Sequence, residues 1–228
     1  TSTRRIALLT GLAIAFPRSP MVIANLGWDL QSASDGRFVL GLGSQVRGHN
    51  ERRFSVPWSA PAPRMREYIA ALRAVWRCWR DGEKLAFEGA HYNFSLMTPA
   101  FVPEPMSAPP PAVTIGAVGP AMLRVAAEAC DGVRLHPFCT RRYQENVVQP
   151  LIAAGLEKRG LPRAGYEITG GGFIATGADD EAVAKKIAWV RQRVAFYGST
   201  RAYWPVLEQH GLEDLGLKLH EMVKAGKW

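Results

Sequence analysis

The sequence predicts an α/β protein built on a parallel sheet, and three observations carry that expectation. Residues 6–15 form a continuous apolar run, the kind that marks a strand covered on both faces. Shorter runs of similar character recur at 37–43, 112–117, 132–135 and 168–176, and segments with helical spacing of apolar residues separate them. Short turns join the two kinds of segment, which calls for right-handed β-α-β crossovers. Five such strands fit an open doubly wound sheet and a closed barrel equally well.

Each element has its own local reason. After the first strand, Ser19 and Pro20 supply an N-cap and a first-turn proline, and a helix is expected over 21–34. Asp35-Gly36 ends it before the strand at 37–43. Residues 44–63 are polar, basic and irregular, with the character of a functional loop. Over 64–79, Met65, Tyr68, Ile69, Leu72, Val75, Trp76 and Trp79 fall near one helical face, and Asp81-Gly82 breaks the helix. Runs at 85–87 and 91–94 flank Glu88-Gly89-Ala90 as a small hairpin. The proline-rich stretch 98–111 leads straight into a buried strand, so it is no domain linker. Helices follow over 121–129, 141–158 and 181–197, with shorter ones over 200–225; glycines at 170–172 weaken the strand at 168–176.

Composition narrows the class. The 228 residues are 47% hydrophobic and 21% charged, ordinary for a globular chain with one sizeable core. A single domain over 1–228 is expected, carrying the small hairpin within 81–110. No apolar run reaches the roughly 18 residues of a membrane span. The run after Arg4 and Arg5 lacks a small-residue cleavage site and reads as a strand, not a leader. Cys78, Cys130 and Cys139 show neither metal-ligand nor redox spacing, and their odd number favours a reducing cytoplasm. The net charge of +8 is spread along helices with no run of five basic residues, which favours a solvated basic surface over nucleic-acid binding. Some of those arginines could still face an anionic cofactor. The chain opens on Thr1 and stops at Trp228 with no capping segment, so both ends read as cut.

Ligands of parallel α/β proteins bind at the C-terminal ends of strands. Gly116-Ala117-Val118-Gly119-Pro120 closes one strand and opens a helix there. Small residues let backbone amides approach a phosphate at a helix N-terminus; a tight turn with no ligand reads the same way, and the spacing is not the dinucleotide fingerprint. Gly41-Leu42-Gly43-Ser44-Gln45 ends another strand, where the glycines either admit a flat ring or serve packing, and Ser44 and Gln45 could hydrogen-bond its edge. Arg47, His49, Arg52 and Arg53 could meet an anionic tail or face solvent. His136 follows the strand at 132–135, as a proton donor or a structural hydrogen-bonder. His91 and His210 suggest no partners. No Ser-His-Asp, metal-ligand or P-loop pattern is present.

The ordered set of passages 8–24, 35–45, 63–79 and 110–132 resembles the luciferase-like monooxygenase family, in its coenzyme F420-dependent branch. It runs strand, S-P-x-x-x-A helix, D-G-R-F-V-L-G-L-G strand, then R-x-x-E-Y-x-x-A-L-R-x-x-W helix. The resemblance implies a (β/α)₈ TIM barrel of the luciferase-like type, incomplete, with strands three to seven present. It implies that Thr10-Gly11 matches a cis non-prolyl peptide forming a bulge behind the deazaflavin ring. Ala13 would sit near the ring, Gly43, Ser44 and Gln45 by its polar edge, Ala117, Val118 and Gly119 on the phosphate, and His136 facing the substrate. Ser44 stands where some relatives place a carboxylate, and nothing matches the first two barrel strands or the eighth. The implied activity is hydride transfer between F420 and a small organic substrate. The alternatives are an FMN monooxygenase using oxygen and a non-catalytic fragment. The implied setting is cytoplasmic, with no nucleic-acid or membrane partner, and a homodimer as one possible state.

Overall fold

The computed structural model describes residues 3–227. The first strand is β1 (Leu8–Leu9) continued by β2 (Ala13–Ile14), followed by α1 (Pro20–Ala33) and β3 (Phe38–Gly43). Next come α2 (Arg47–Arg53), α3 (Pro61–Asp81) and the hairpin β4 (Phe87–Glu88) and β5 (Asn93–Phe94). Then β6 (Ala112–Ala117), α4 (Pro120–Ala129) and β7 (Gly132–Leu135) repeat the unit. The helical stretch α5 (Arg141–Tyr143) and α6 (Gln149–Lys158) precedes β8 (Glu167–Thr169), and α7 (Asp180–Gly198), α8 (Trp204–Glu208) and α9 (Glu213–Lys224) complete the described chain.

The main sheet runs β1-β3-β6-β7-β8, with β2 also on β3, and every pairing is parallel. It is a barrel arc of five strand positions, the incomplete luciferase-like barrel. Helices α1, α3, α4 and α6 pack in succession over one face. Alternation explains why they bind. Leu40, Leu42, Val113, Ile115 and Val133 point to the helices and are fully buried, each contributing roughly 1.5–3 kcal/mol. The intervening positions, Gly41, Gly43, Gly116 and Arg134 among them, face the other side. All seven residues assigned to one face of the third helix are buried. Gln31 of α1 ties the proline-rich segment in place: its amide donates to the Pro109 carbonyl (2.8 Å) while its oxygen accepts from the Phe38 amide (2.9 Å).

Four expectations change. The run 6–15 is not a strand covered on both faces: Ile6, Leu9 and Leu12 are 61%, 47% and 38% exposed. It is also split, because between Leu9↔Val39 and Ala13↔Leu42 three residues (10–12) oppose two (40–41), a bulge of one residue. The loop 44–63 contains the helix α2, whose buried residue is Asn50 rather than an apolar one. The helix over 141–158 has a π turn at Gln144–Val148; Pro150 brings no N–H to the carbonyl four residues back, so the ladder shifts there. The strand at 168–176 is confined to Glu167–Thr169. Gly170 lies at φ 138°, where a Cβ would press on the Leu135 backbone, and the following glycines have no ladder partner.

Candidate functional site

Register brings the candidate residues to one edge. Ile14 pairs with Gly43, Leu42 with Ile115 and Ala117 with Leu135. Hence residues 13–16, 43–45, 117–119 and 136 leave the sheet side by side at its C-terminal end.

At the bulge, Thr10 remains tied to β3. Its amide reaches the Val39 carbonyl (3.4 Å), and its hydroxyl accepts from the Gly41 amide (2.9 Å) and donates to the Gly41 carbonyl (2.8 Å). The cis peptide is Gly11–Leu12, one bond later than the resemblance placed it. Leu12 then lies over Gly41, Gly43 and Gly116: a Cβ at Gly43 would sit 3.2 Å from its Cδ1, and one at Gly116 would collide with that atom. Leu12 thus covers the glycine faces on this side of the sheet. What the edge offers instead is the exposed side of Leu12, with half-buried Ala13 beside it.

Gln45 adopts φ 57°, and its side-chain oxygen accepts from the Val46 amide (3.1 Å). Its NH₂ group has no partner among the described residues. The Ser44 carbonyl accepts from the Asn50 side chain (2.9 Å). Asn50 is buried, and its own oxygen has no protein partner. The loop's conformation thus depends on an asparagine that sequence reading passed over. Arg47 pairs with Glu51 (3.0 Å), and Arg53 lies over the ring of Phe54. Arg64, at the start of α3, covers the Phe16 ring (4.6 Å) and donates to the Tyr92 hydroxyl (3.0 Å).

The turn 117–119 is held from below. Tyr143 is buried and donates its hydroxyl to the Val118 carbonyl at 2.7 Å; burial pushes that hydroxyl up to about 12. Ala117 is buried and Val118 half-buried. Gly119 is the N-cap of α4 with no side-chain cap, so the first-turn amides of Ala121 and Met122 lack a partner from the helix itself. A Cβ at Gly119 would meet nothing within 4 Å. Small residues, free amides and open space fit a phosphate.

His136 is half-buried at the next strand end. Its Nδ1 accepts from the Phe138 amide (2.9 Å), which leaves the proton of the neutral ring on Nε2. Burial holds its pKa below the usual histidine value. Tyr197, Tyr203 and Phe173 surround it, with centroids at 4.2, 4.9 and 6.5 Å. His210 does have a partner, the Thr140 hydroxyl at 2.8 Å, contrary to expectation; the two groups are 70 residues apart and only the fold joins them. His91 sits on the hairpin against Tyr92. Among the described residues no His, Cys, Asp or Glu group is arranged to hold a metal, and no helix is long and apolar enough to cross a membrane.

Two open clefts lie elsewhere. One of about 550 Å³ is at the opposite edge, between Phe38, Pro111, Ala112 and Asp131. One of about 620 Å³ lies between α3, α4 and the hairpin, lined by Ala70, Phe87 and Val125.

The profile of the luciferase-like monooxygenases matches residues 1–228. The chain belongs to that family. It is 50% identical over 226 residues to the uncharacterized protein Rv1360 of Mycobacterium tuberculosis, covering 99% of this chain and 66% of that one. It is 30% identical over 212 residues to the 5,10-methylenetetrahydromethanopterin reductase of Archaeoglobus fulgidus, covering 93% and 59%. The chain thus spans less than two thirds of the length of these family members. Among solved structures, the coenzyme F420-dependent tetrahydromethanopterin reductase of Methanopyrus kandleri superposes with a TM-score of 0.68 at 20% identity, covering 92% of this chain and 61% of that one. The EDTA monooxygenase of Chelativorans sp. BNC1 gives 0.66 at 16% identity, covering 84% and 48%. These structural likenesses establish the shared fold; the family model is named for monooxygenases, and the relative at 30% identity is a reductase by name.

Proposed function

We propose that this family member is a coenzyme F420-dependent oxidoreductase that exchanges a hydride with a small organic substrate. The observation that carries the reading is the turn Ala117–Gly119: an uncapped helix N-terminus with open space above Gly119, braced by Tyr143. The named relative at 30% identity, a methylenetetrahydromethanopterin reductase, supports reductive rather than oxygen chemistry.

Bound deazaflavin would supply the hydride chemistry. The chain's own part is positional. The amides at the start of α4 would hold the phosphate, and the dipole of that helix favours the anion by about 0.3–1 kcal/mol, up to ~2 when partly buried. The exposed side of Leu12 would back the ring and keep water from that face. The Ser44 hydroxyl and the free Gln45 NH₂ group would meet its polar edge. Neutral His136 would stand on the substrate side.

Titrations of the protein with F420 and with FMN, followed by absorbance and fluorescence, test the proposal. F420 should saturate and FMN should bind more weakly; the reverse order favours the monooxygenase reading. Gly119→Trp, whose side chain would fill open space, should weaken F420 binding about tenfold, or ~1.4 kcal/mol, with an unchanged circular dichroism spectrum. Binding of neither cofactor by the wild type would leave the non-catalytic reading standing, and unchanged affinity in Gly119→Trp would move the phosphate elsewhere.

A further inference from the structure

The edge of β7 carries a feature that cofactor binding does not use. The rings of His136, Tyr197 and Tyr203 lie within 4.2 to 5.1 Å of one another, and Phe173 stacks near Tyr197 at 6.0 Å with an interplanar angle of 22°. They come from four places: the end of β7, the segment between β8 and α7, the end of α7 and the turn Arg201–Tyr203 before α8. The chain gathers four flat rings at the C-terminal edge of the sheet, where Leu135 pairs with Ala117 of the adjacent strand.

The polar tips matter more than the rings. His136 Nε2, the Tyr197 hydroxyl and the Tyr203 hydroxyl have no hydrogen-bond partner among the described residues. None of them is among the buried orphaned atoms, which are Asn50 Oδ1, Tyr68 Oη and Tyr166 Oη. They therefore reach solvent. Tyrosine hydroxyls taken out of bulk water normally find a partner, so two unpartnered ones on half-buried rings next to an unpartnered imidazole N–H mark a surface with donors to spare. The rings themselves include no charged side chain. Phe138 fixes the histidine tautomer so that the free nitrogen is the protonated one. Burial keeps the imidazole neutral near pH 7 and pushes the Tyr203 hydroxyl up to about 12, so both remain neutral donors there.

We propose that His136, Tyr197 and Tyr203 form the substrate shelf, and that it takes a planar, π-rich molecule bearing a neutral acceptor oxygen such as a carbonyl. The rings already pack edge to face, so the substrate lies on their exposed side and does not intercalate. Its oxygen accepts from His136 Nε2–H and the tyrosine hydroxyls, and its plane rests against Tyr197 and Phe173. As substrate assignment this rests on the F420 reading, but the binding property stands without cofactor.

The test uses the protein without added cofactor and three probes: acetophenone, cyclohexyl methyl ketone, which lacks the flat ring, and ethylbenzene, which lacks the oxygen. Affinities come from intrinsic fluorescence, and imidazole ¹H–¹⁵N correlation spectra report on His136. Acetophenone should bind about tenfold tighter than either control and shift the His136 Nε2 resonance. Tyr197→Phe and Tyr203→Phe keep the rings and remove single hydroxyls; each should weaken acetophenone about three- to tenfold and leave ethylbenzene unchanged. Equal affinity for the three probes, an unmoved His136 resonance, or full acetophenone binding in both variants would overturn the proposal. F420 titration of the same samples is read separately, so loss of the cofactor reading and loss of the shelf are distinct results.

Discussion

Gly41→Ala tests whether the bulge and the strand beneath it fit as tightly as the geometry says. An added Cβ would fall onto the Thr10 carbonyl oxygen, a backbone atom that cannot swing aside, and come within 3.2 Å of Leu12 Cδ2. Overpacking of this kind costs about 1–3 kcal/mol. Moving residues 10–12 away to make room would also break the two bonds between the Thr10 hydroxyl and Gly41, worth about 0.5–1.5 kcal/mol each. The expected loss is about 2–6 kcal/mol, and a domain of this size loses about 2–4 °C of melting temperature per kcal/mol. Urea unfolding followed by circular dichroism measures it. Gly119→Ala is the control: its Cβ meets nothing within 4 Å, so only the poorer N-cap is felt, about 1 kcal/mol or less. If Gly41→Ala unfolds within about 0.5 kcal/mol of wild type, the packing of Leu12 over the glycines is looser than the structure indicates.

Two further outcomes follow from contacts away from the bulge. The Glu67 carboxylate of α3 accepts from the amides of Ala90 (3.1 Å), His91 (2.7 Å) and Tyr92 (2.7 Å), and so closes the hairpin turn. Glu67→Ala should cost about 1–3 kcal/mol, since the freed amides can partly hydrate, and should speed hydrogen exchange at residues 90–92; unchanged exchange there would show the turn is held by other means. His136 has its pKa lowered by burial in the folded state. The unfolded chain therefore binds the proton first as pH drops below about 6.5, so this group's contribution is intact above that pH and is lost as pH falls toward the folded value. Melting curves from pH 7.5 to 5 should be flatter for His136→Gln than for wild type, and identical slopes would remove His136 as the source.

The sequence was legible where one residue property decided the outcome. Residues 112–117, followed by Gly119-Pro120, and 132–135, followed by His136-Pro137, are short mostly apolar runs, and both strands form with those bounds. The third helix shows its buried stripe directly. The first strand misled because an apolar run says that burial is available, not which side receives it; Leu9 is exposed and Leu12 turns onto glycines of two other strands. Helix α2 was invisible because its sequence, RGHNERR, has no apolar period and is organised by Asn50. At the candidate site, the small residues 117–119 announced a strand-to-helix turn. Tyr143 and the tyrosines around His136 did not announce themselves, since Tyr143 meets Val118 across 25 residues and the others converge through α7 and the turn after it.

The distribution of glycine over the sheet explains how fold and site are coupled. On the helix side, Leu40, Leu42, Val113 and Ile115 fill the layer completely, and a change there is felt as stability. On the other side, Gly41, Gly43 and Gly116 leave a hollow as deep as one side chain, and Leu12 fills it from the neighbouring strand. The height of the Leu12 surface at this edge is therefore set by three glycines beneath it. A methyl added at any of them must lift Leu12 or displace the backbone of residues 10–12, and the shelf moves with it. By contrast, a Cβ at Gly119 meets nothing within 4 Å, and the tips of His136, Tyr197 and Tyr203 hold no bond to another described residue, so substitutions there should alter the proposed binding edge with little effect on the sheet. Variants at the first set should lose stability and cofactor affinity together, whereas variants at the second should separate the two.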